Sequence, residues 1–241
     1  MDKDSRCVVP DDDPALIELW LLHLADSALP IGAFAHSFGV ETLVMAEMLQ
    51  IADLDVFLQA WLEQAGVTEA VFCRAASQLA TRKIFPAKEW LELNDYLGAL
   101  KPARESRKGS AVLGNNFLRA ALAVCKRMPM QRADEESRKA SAEVHHACAF
   151  GLVSGALQIG EDQAVRAYLH QSVAGLISAC QRLMPLGQTR AQQILWNLKD
   201  QIIEAARSST EFTLHDVPCF LPVLDWGAME HPELFTRLFI S

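Results

Sequence analysis

Apolar residues recur at three- and four-residue spacing along almost the whole of this chain, and no stretch convincingly keeps the two-residue alternation of a half-buried strand. That period restricts the fold to helices packed on helices. Asp13 can cap a first helix with Pro14 at its opening position, where a missing N–H costs nothing. Leu16, Ile17, Leu19, Trp20, Leu21, Leu22 and Leu24 make this helix apolar on nearly every side, which predicts a central position or a covering partner. Beyond Pro30 and Gly32 the pattern predicts a helix over about 36–49. Asp53 then caps a stripe of Leu54, Phe57, Leu58, Trp61, Leu62 and Ala65 that continues past Gly66 through Val71, Phe72 and Ala75. Pro86 and Pro102 open two further helices. Pro129 and the charges Arg132, Asp134, Glu135 and Glu136 make 128–137 the best linker candidate. Three more helices are predicted over about 138–158, 162–184 and 189–207, and Thr213 to Leu224 reads as a possible extended segment. The fold class is therefore all-α, a single-domain multi-helix bundle of about eight to ten helices over 14–241, behind a polar tail over 1–13.

Composition removes several function classes. The chain has 241 residues, 51% of them hydrophobic, which excludes wholesale disorder. Its 22 Lys+Arg against 30 Asp+Glu give a net charge of −8, which argues against nucleic acid as the main partner. The opening residues carry no signal-peptide pattern, and apolar runs such as Leu19 to Leu22 stop far short of the roughly 20 residues a membrane span needs. Six cysteines lie far apart with no C-x-x-C pair, as expected of mostly buried thiols in a reducing, cytoplasmic compartment.

Motifs for chemistry fail in turn. Gly109 and Gly114 have phosphate-loop spacing, but Asn115 and Asn116 stand where Lys and Ser/Thr are needed. Ser154 is not in a nucleophile elbow; Ala147, Gly151 and Gly155 instead share one helix face and predict close approach of another backbone. For a metal, His145 and Cys148 are spaced i, i+3 with His146 beside them, and His215 and Cys219 would be i, i+4 on a helix. Each pair supplies two ligands where three or four are needed.

Two segments remain. Asp26 to Glu41 packs Pro30, Gly32, Gly39 and several apolar side chains into one helix-to-helix connection, read equally well as a buried elbow or a partner-binding loop. His231 to Ser241 gathers Leu234, Phe235, Leu238, Phe239 and Ile240 around Arg237, a composition that docks either on its own core or on another protein.

These segments carry a resemblance to the UreF family of urease accessory proteins, in a form similar to its plant members. The run Leu29-Pro30-Ile31-Gly32-Ala33-Phe34-Ala35-His36-Ser37-Phe38-Gly39-Val40-Glu41 resembles the family signature at Pro30, Gly32, Phe34, His36, Ser37, Gly39 and Glu41. Arg104, Glu105, Arg107 and Gly109 to Gly114, then His146 to Gly151, resemble its middle; Met184-Pro185-Leu186-Gly187-Gln188 resembles its Pro-Leu-Gly-Gln segment, and Met229 to Ser241 its ending. Ala33 stands where Gly is common, and Asp225-Trp226-Gly227-Ala228-Met229 departs from the expected pattern.

The resemblance implies an all-α homodimer without enzymatic activity, acting in the cytoplasm in urease maturation. Its implied partners are a nickel-carrying GTPase of the UreG type, a urease-binding subunit of the UreD (UreH) type and, through the complex, apo-urease. No cofactor is expected on this chain itself, since Ni²⁺ and GTP would be handled by the partners. Within that frame 208–241 is the expected partner-docking segment, with His231, Leu234, Phe235, Arg237, Leu238 and Phe239 facing the urease-binding subunit. Arg182, Pro185, Gly187 and Gln188 are expected near a dimer face that receives the GTPase. Rival readings are a helical small-ligand or regulatory domain with an apolar pocket, a helical enzyme using His36 or His146, and direct nickel chaperoning through His145, His146 and Cys148.

Overall fold

The computed structural model describes residues 13–241, so all of the predicted tail over 1–13 except Asp13, and Cys7 with it, lies outside the described residues. Helix α1 (Pro14–Leu24) starts as its sequence dictates, with Asp13 Oδ1 accepting from Ala15 N at 2.9 Å. It does not take a central position. Only Leu24 is buried, and Leu19 and Leu22 stand 62% exposed. A short α2 (Val40–Met45) leads to α3 (Leu54–Trp61), one π-helical turn (Leu62–Gly66) and α4 (Val67–Thr81), which together form the uninterrupted helix that the apolar stripe predicted. Helices α5 (Ala87–Ala99), α6 (Arg104–Val124), α7 (Met128–Ala140), α8 (His146–Ala156), α9 (Glu161–Leu183), α10 (Gln188–Asn197), α11 (Lys199–Ser208) and α12 (Pro222–Glu230) complete the chain. With α3 and α4 counted as one, the described residues contain eleven helices and no strand.

The core is organised around α8, which is buried from His146 to Gly155 and packs on α4, α6 and α9. Its small residues explain this. A Cβ on Gly151 would lie 2.0 Å from the Cys73 carbonyl oxygen, and one on Gly155 would lie 2.4 Å from that of Ser77. Each is far inside van der Waals contact, so α4 and α8 approach at a distance that only glycine permits. Phe72, Phe117, Phe150 and Tyr168 fill the space on either side, and one apolar cluster runs from Leu24 to Ala206.

Five expectations need correction. The supposed linker over 128–137 is the body of α7. Its charges pair along the helix (Arg138 with Asp134 at 2.7 Å, Lys139 with Glu135 at 2.8 Å), while Met130, Ala133 and Ser137 face inward and Ser137 Oγ accepts from Trp90 Nε1 at 2.9 Å. The helix expected over 138–158 breaks where Ser141 takes φ +53°, and the stretch over 189–207 turns at buried Leu198, which leaves Ile194 and Ile202 both facing the core. The helix expected from 36 begins only at Val40, because Phe38 (φ +51°) and Gly39 (φ +94°) hold left-handed conformations. Finally, α12 occupies the end of the segment read as extendable. Among the described residues no helix is long and apolar enough to cross a membrane.

Candidate functional site: a stapled elbow and tail

The two segments that sequence singled out lie against each other. His36 is extended, and its neighbours Ala35, Ser37 and Phe38 pair with the chain some two hundred residues later. Ile240 N donates to the Ala35 carbonyl at 2.8 Å, and the amides of Ser37 and Phe38 both donate to the Ser241 carbonyl. His36 Nδ1 meets Ser241 Oγ at 2.6 Å, and burial pushes the His36 imidazole below its ordinary pKa. Gly39 is required by contact as well as by φ, since a Cβ there would lie 2.7 Å from the Leu224 carbonyl oxygen at the face of α12.

Glu41, in the first turn of α2 and 3% exposed, is the hub. One carboxylate oxygen accepts from Leu238 N at 2.6 Å; the other accepts from Phe239 N at 3.1 Å and meets His231 Nε2 at 2.8 Å. The opposite ring nitrogen, His231 Nδ1, faces Glu105 Oε2 at 2.6 Å, and Arg237 reaches the other Glu105 oxygen at 3.4 Å. His231 is fully buried, and each of its ring nitrogens faces a carboxylate oxygen. Arg182, at the end of α9, closes the cluster: its guanidinium lies 4.2 Å over the Phe239 ring and donates to the Phe34 carbonyl.

Pinned from beneath in this way, the patch turns its apolar side chains outward. Phe34 is 55% exposed, Leu238 53%, Ile240 69% and Phe235 fully exposed, with Arg182 and Arg237 beside them. Phe34, Leu238, Ile240 and Arg182 line one open hollow, and an exposed apolar surface carrying arginine is the composition of a protein-binding face rather than of a catalytic cleft.

The other predicted residues fall elsewhere. His231 and Phe239, grouped by sequence with the outward residues, point inward and anchor the segment, and Leu234 is half-buried. Pro185, Gly187 and Gln188 are exposed between α9 and α10, with Gln188 Oε1 accepting from Gln181 at 2.7 Å. Pro30 and Arg104 are exposed, while Arg107 donates to the Lys101 carbonyl at 2.9 Å. Gly109 to Gly114 lie inside α6, with no phosphate-loop shape. His145, His146 and Cys148 sit in the core. His145 pairs with Ser110 Oγ at 3.2 Å, burial pushes both imidazoles down to about 4, and it holds the Cys148 thiol well above its usual value. Among the described residues no three His, Cys, Asp or Glu side chains are grouped to hold a metal ion. The segment with His215 and Cys219 is not helical, so their i, i+4 geometry does not form. Glu105, which grips His231 across 126 residues of sequence, stands in the Arg104 to Gly109 run that resembles the family, but no local spacing shows that it meets His231.

Comparison with known proteins decides the family. A model of the UreF family matches residues 50–199, and a protein of Corynebacterium glutamicum named urease accessory protein UreF is 34% identical over 224 residues, 92% of this chain and 96% of that protein. The chain belongs to the UreF family. Similar UreF proteins of Geobacillus kaustophilus (31% identical, 92% of this chain, 97% of theirs) and a Bacillus species (30% identical, 92% and 98%) are also aligned over nearly their whole length. These alignments take in much more of the chain than the UreF family model does, and they are long enough to reach the elbow or the tail.

Proposed function

We propose that this chain is a urease accessory scaffold. It would bridge a nickel-carrying GTPase of the UreG type and a urease-binding subunit of the UreD (UreH) type, so that nickel enters apo-urease only from the assembled complex. Support comes from membership of the UreF family, whose matched members are named accessory proteins rather than enzymes, and above all from the stapled elbow and tail, a preformed apolar face that none of the described residues covers. In this reading the protein works in the cytoplasm as a homodimer, and Ni²⁺ and GTP are held by its partners. Leu234, Phe235, Arg237 and Leu238 meet the urease-binding subunit, with His231 and Phe239 holding them in place. Arg182 links that face to the Pro185 to Gln188 corner assigned to GTPase recruitment. A scaffold that prefers one nucleotide state of the GTPase shifts that state's population by its differential affinity, which makes nickel release conditional on assembly.

The test is affinity capture with the tagged chain from a lysate that expresses the urease operon. The urease-binding subunit and the GTPase are expected to co-elute with wild type, and Leu238→Asp is expected to lose the urease-binding subunit while its circular dichroism stays unchanged. Undiminished capture by that variant overturns the assignment of the face.

A further inference from the structure

Behind the elbow, on the inner side of His36 and Phe38, lies a cavity of about 170 Å³. Phe38, Trp61, Leu97 and Leu176 contribute to an apolar wall. The segment between α11 and α12 covers it through Cys219 and Leu221, and is tied down where Thr68 Oγ donates to the Pro218 carbonyl. A polar cluster interrupts the apolar lining. Lys101 and the Tyr168 hydroxyl donate to the two carboxylate oxygens of Glu69. Burial alone would raise the Glu69 carboxyl, but Lys101 and these hydrogen bonds outweigh it and leave it below its ordinary value, so the pair neutralises itself. Two more residues of the lining, His146 and Gln171, each carry a buried polar atom without a partner, Nε2 and Oε1 respectively. Buried polar atoms nearly always find partners, and two unpaired ones beside one cavity point to something the cavity holds.

We propose that this cavity binds a small neutral molecule with an aromatic body and one hydroxyl group, phenol being the simplest member of the class. Size agrees: an engineered apolar cavity of about 150 Å³ accepts benzene. So does charge. Lys101 and Glu69 offer no unpaired counter-charge, and burial raises the Asp225 carboxyl on the same wall above its ordinary value. Gln171 Oε1 accepts the ligand hydroxyl proton, and the hydroxyl oxygen and the His146 ring provide the second contact. Phe38 and Trp61 face the ring. The site is independent of the scaffold reading, so failure of either leaves the other standing.

Isothermal titration of the purified full chain with phenol, toluene, benzoate and benzylammonium tests this. Phenol is expected to bind with a dissociation constant below about 1 mM, a few-fold or more tighter than toluene, and the two ions not to bind. Gln171→Leu should weaken phenol about fivefold or more and leave toluene unchanged. Gly175→Leu, at a wall position where an added Cβ meets nothing within 4 Å, should abolish both. Absence of saturable phenol binding up to about 10 mM, preference for a charged analogue, or equal loss of phenol and toluene in Gln171→Leu each overturns the proposal. Should Gly175→Leu lose its helical spectrum, the Gln171→Leu comparison decides.

Discussion

The packing of α8 against α4 and the seating of the tail on the elbow are two ways of holding one segment against another. The first is a contact of shape: Gly151 and Gly155 remove every side-chain atom between two backbones, and the apolar cluster closes around them. The second is a contact of a few charged hydrogen bonds, with Glu41 receiving two amides and a histidine. A shape contact fails all at once when a carbon is added. A hydrogen-bonded staple can be opened while the rest of the molecule stays folded, and its outer surface is left free for another protein.

The largest test of this contrast is Gly151→Val. Its Cβ alone would meet the Cys73 carbonyl oxygen at 2.0 Å, and neither backbone can withdraw without parting α4 from α8. A loss of about 4 kcal/mol or more is expected, read from urea unfolding by circular dichroism. A variant within about 1 kcal/mol of wild type would show that the helices have room to separate.

Acid attacks the same core next. His145 and His146 stay neutral in the fold down to about pH 4, whereas in the unfolded chain each takes up a proton below about 6.5. Between those limits the unfolded state binds more protons, so this contribution is complete above about pH 6.5 and is lost as pH falls towards 4, about 3 kcal/mol per histidine over the full range. His146→Phe keeps the ring contacts with Phe117 and Tyr168 and should remove about one proton from the slope of stability against pH in that window. An unchanged slope would place the acid sensitivity elsewhere.

The core was the more legible of the two regions. Helical period, the Asp13 cap and the four-residue spacing of Ala147, Gly151 and Gly155 are local patterns, and each reports a local cause. The α7 segment misled because Pro129 and a run of charges read as a linker, although the charges alternate at the spacing that pairs them along a helix. At the elbow, sequence marked both segments without showing that they meet. The Glu105–His231–Glu41 bridge is non-local, and His231 and Phe239 look the same in sequence whether they face a partner or their own core.

Opening the staple alone should cost less than either core test. In Glu41→Gln one carboxylate oxygen becomes an NH₂ group that faces other donors, whichever way the amide is turned. The expected loss is about 2 kcal/mol, confined to the tail. Hydrogen exchange should show the Leu238 and Phe239 amides deprotected and the α8 amides unchanged. Equal loss of protection in α8 would mean that the staple and the core form one cooperative unit.

Phe235→Ser is expected to have the smallest effect on the fold and a large one on assembly. The side chain is fully exposed, so replacing it removes no burial within the chain, and stability should stay within about 0.5 kcal/mol of wild type. A fully exposed phenylalanine held in place by a staple beneath it has the composition of an interface anchor, whose truncation costs a complex 2 kcal/mol or more, roughly thirtyfold in affinity. Biolayer interferometry against the purified urease-binding subunit should show that loss in the dissociation rate, with the helical spectrum and urea midpoint of the free chain unchanged. If Phe235→Ser and Glu41→Gln weaken binding equally, the partner is reading the seated tail as a unit. If only Glu41→Gln does, the outward surface is not the recognition element and the contrast drawn between core and patch loses its functional half.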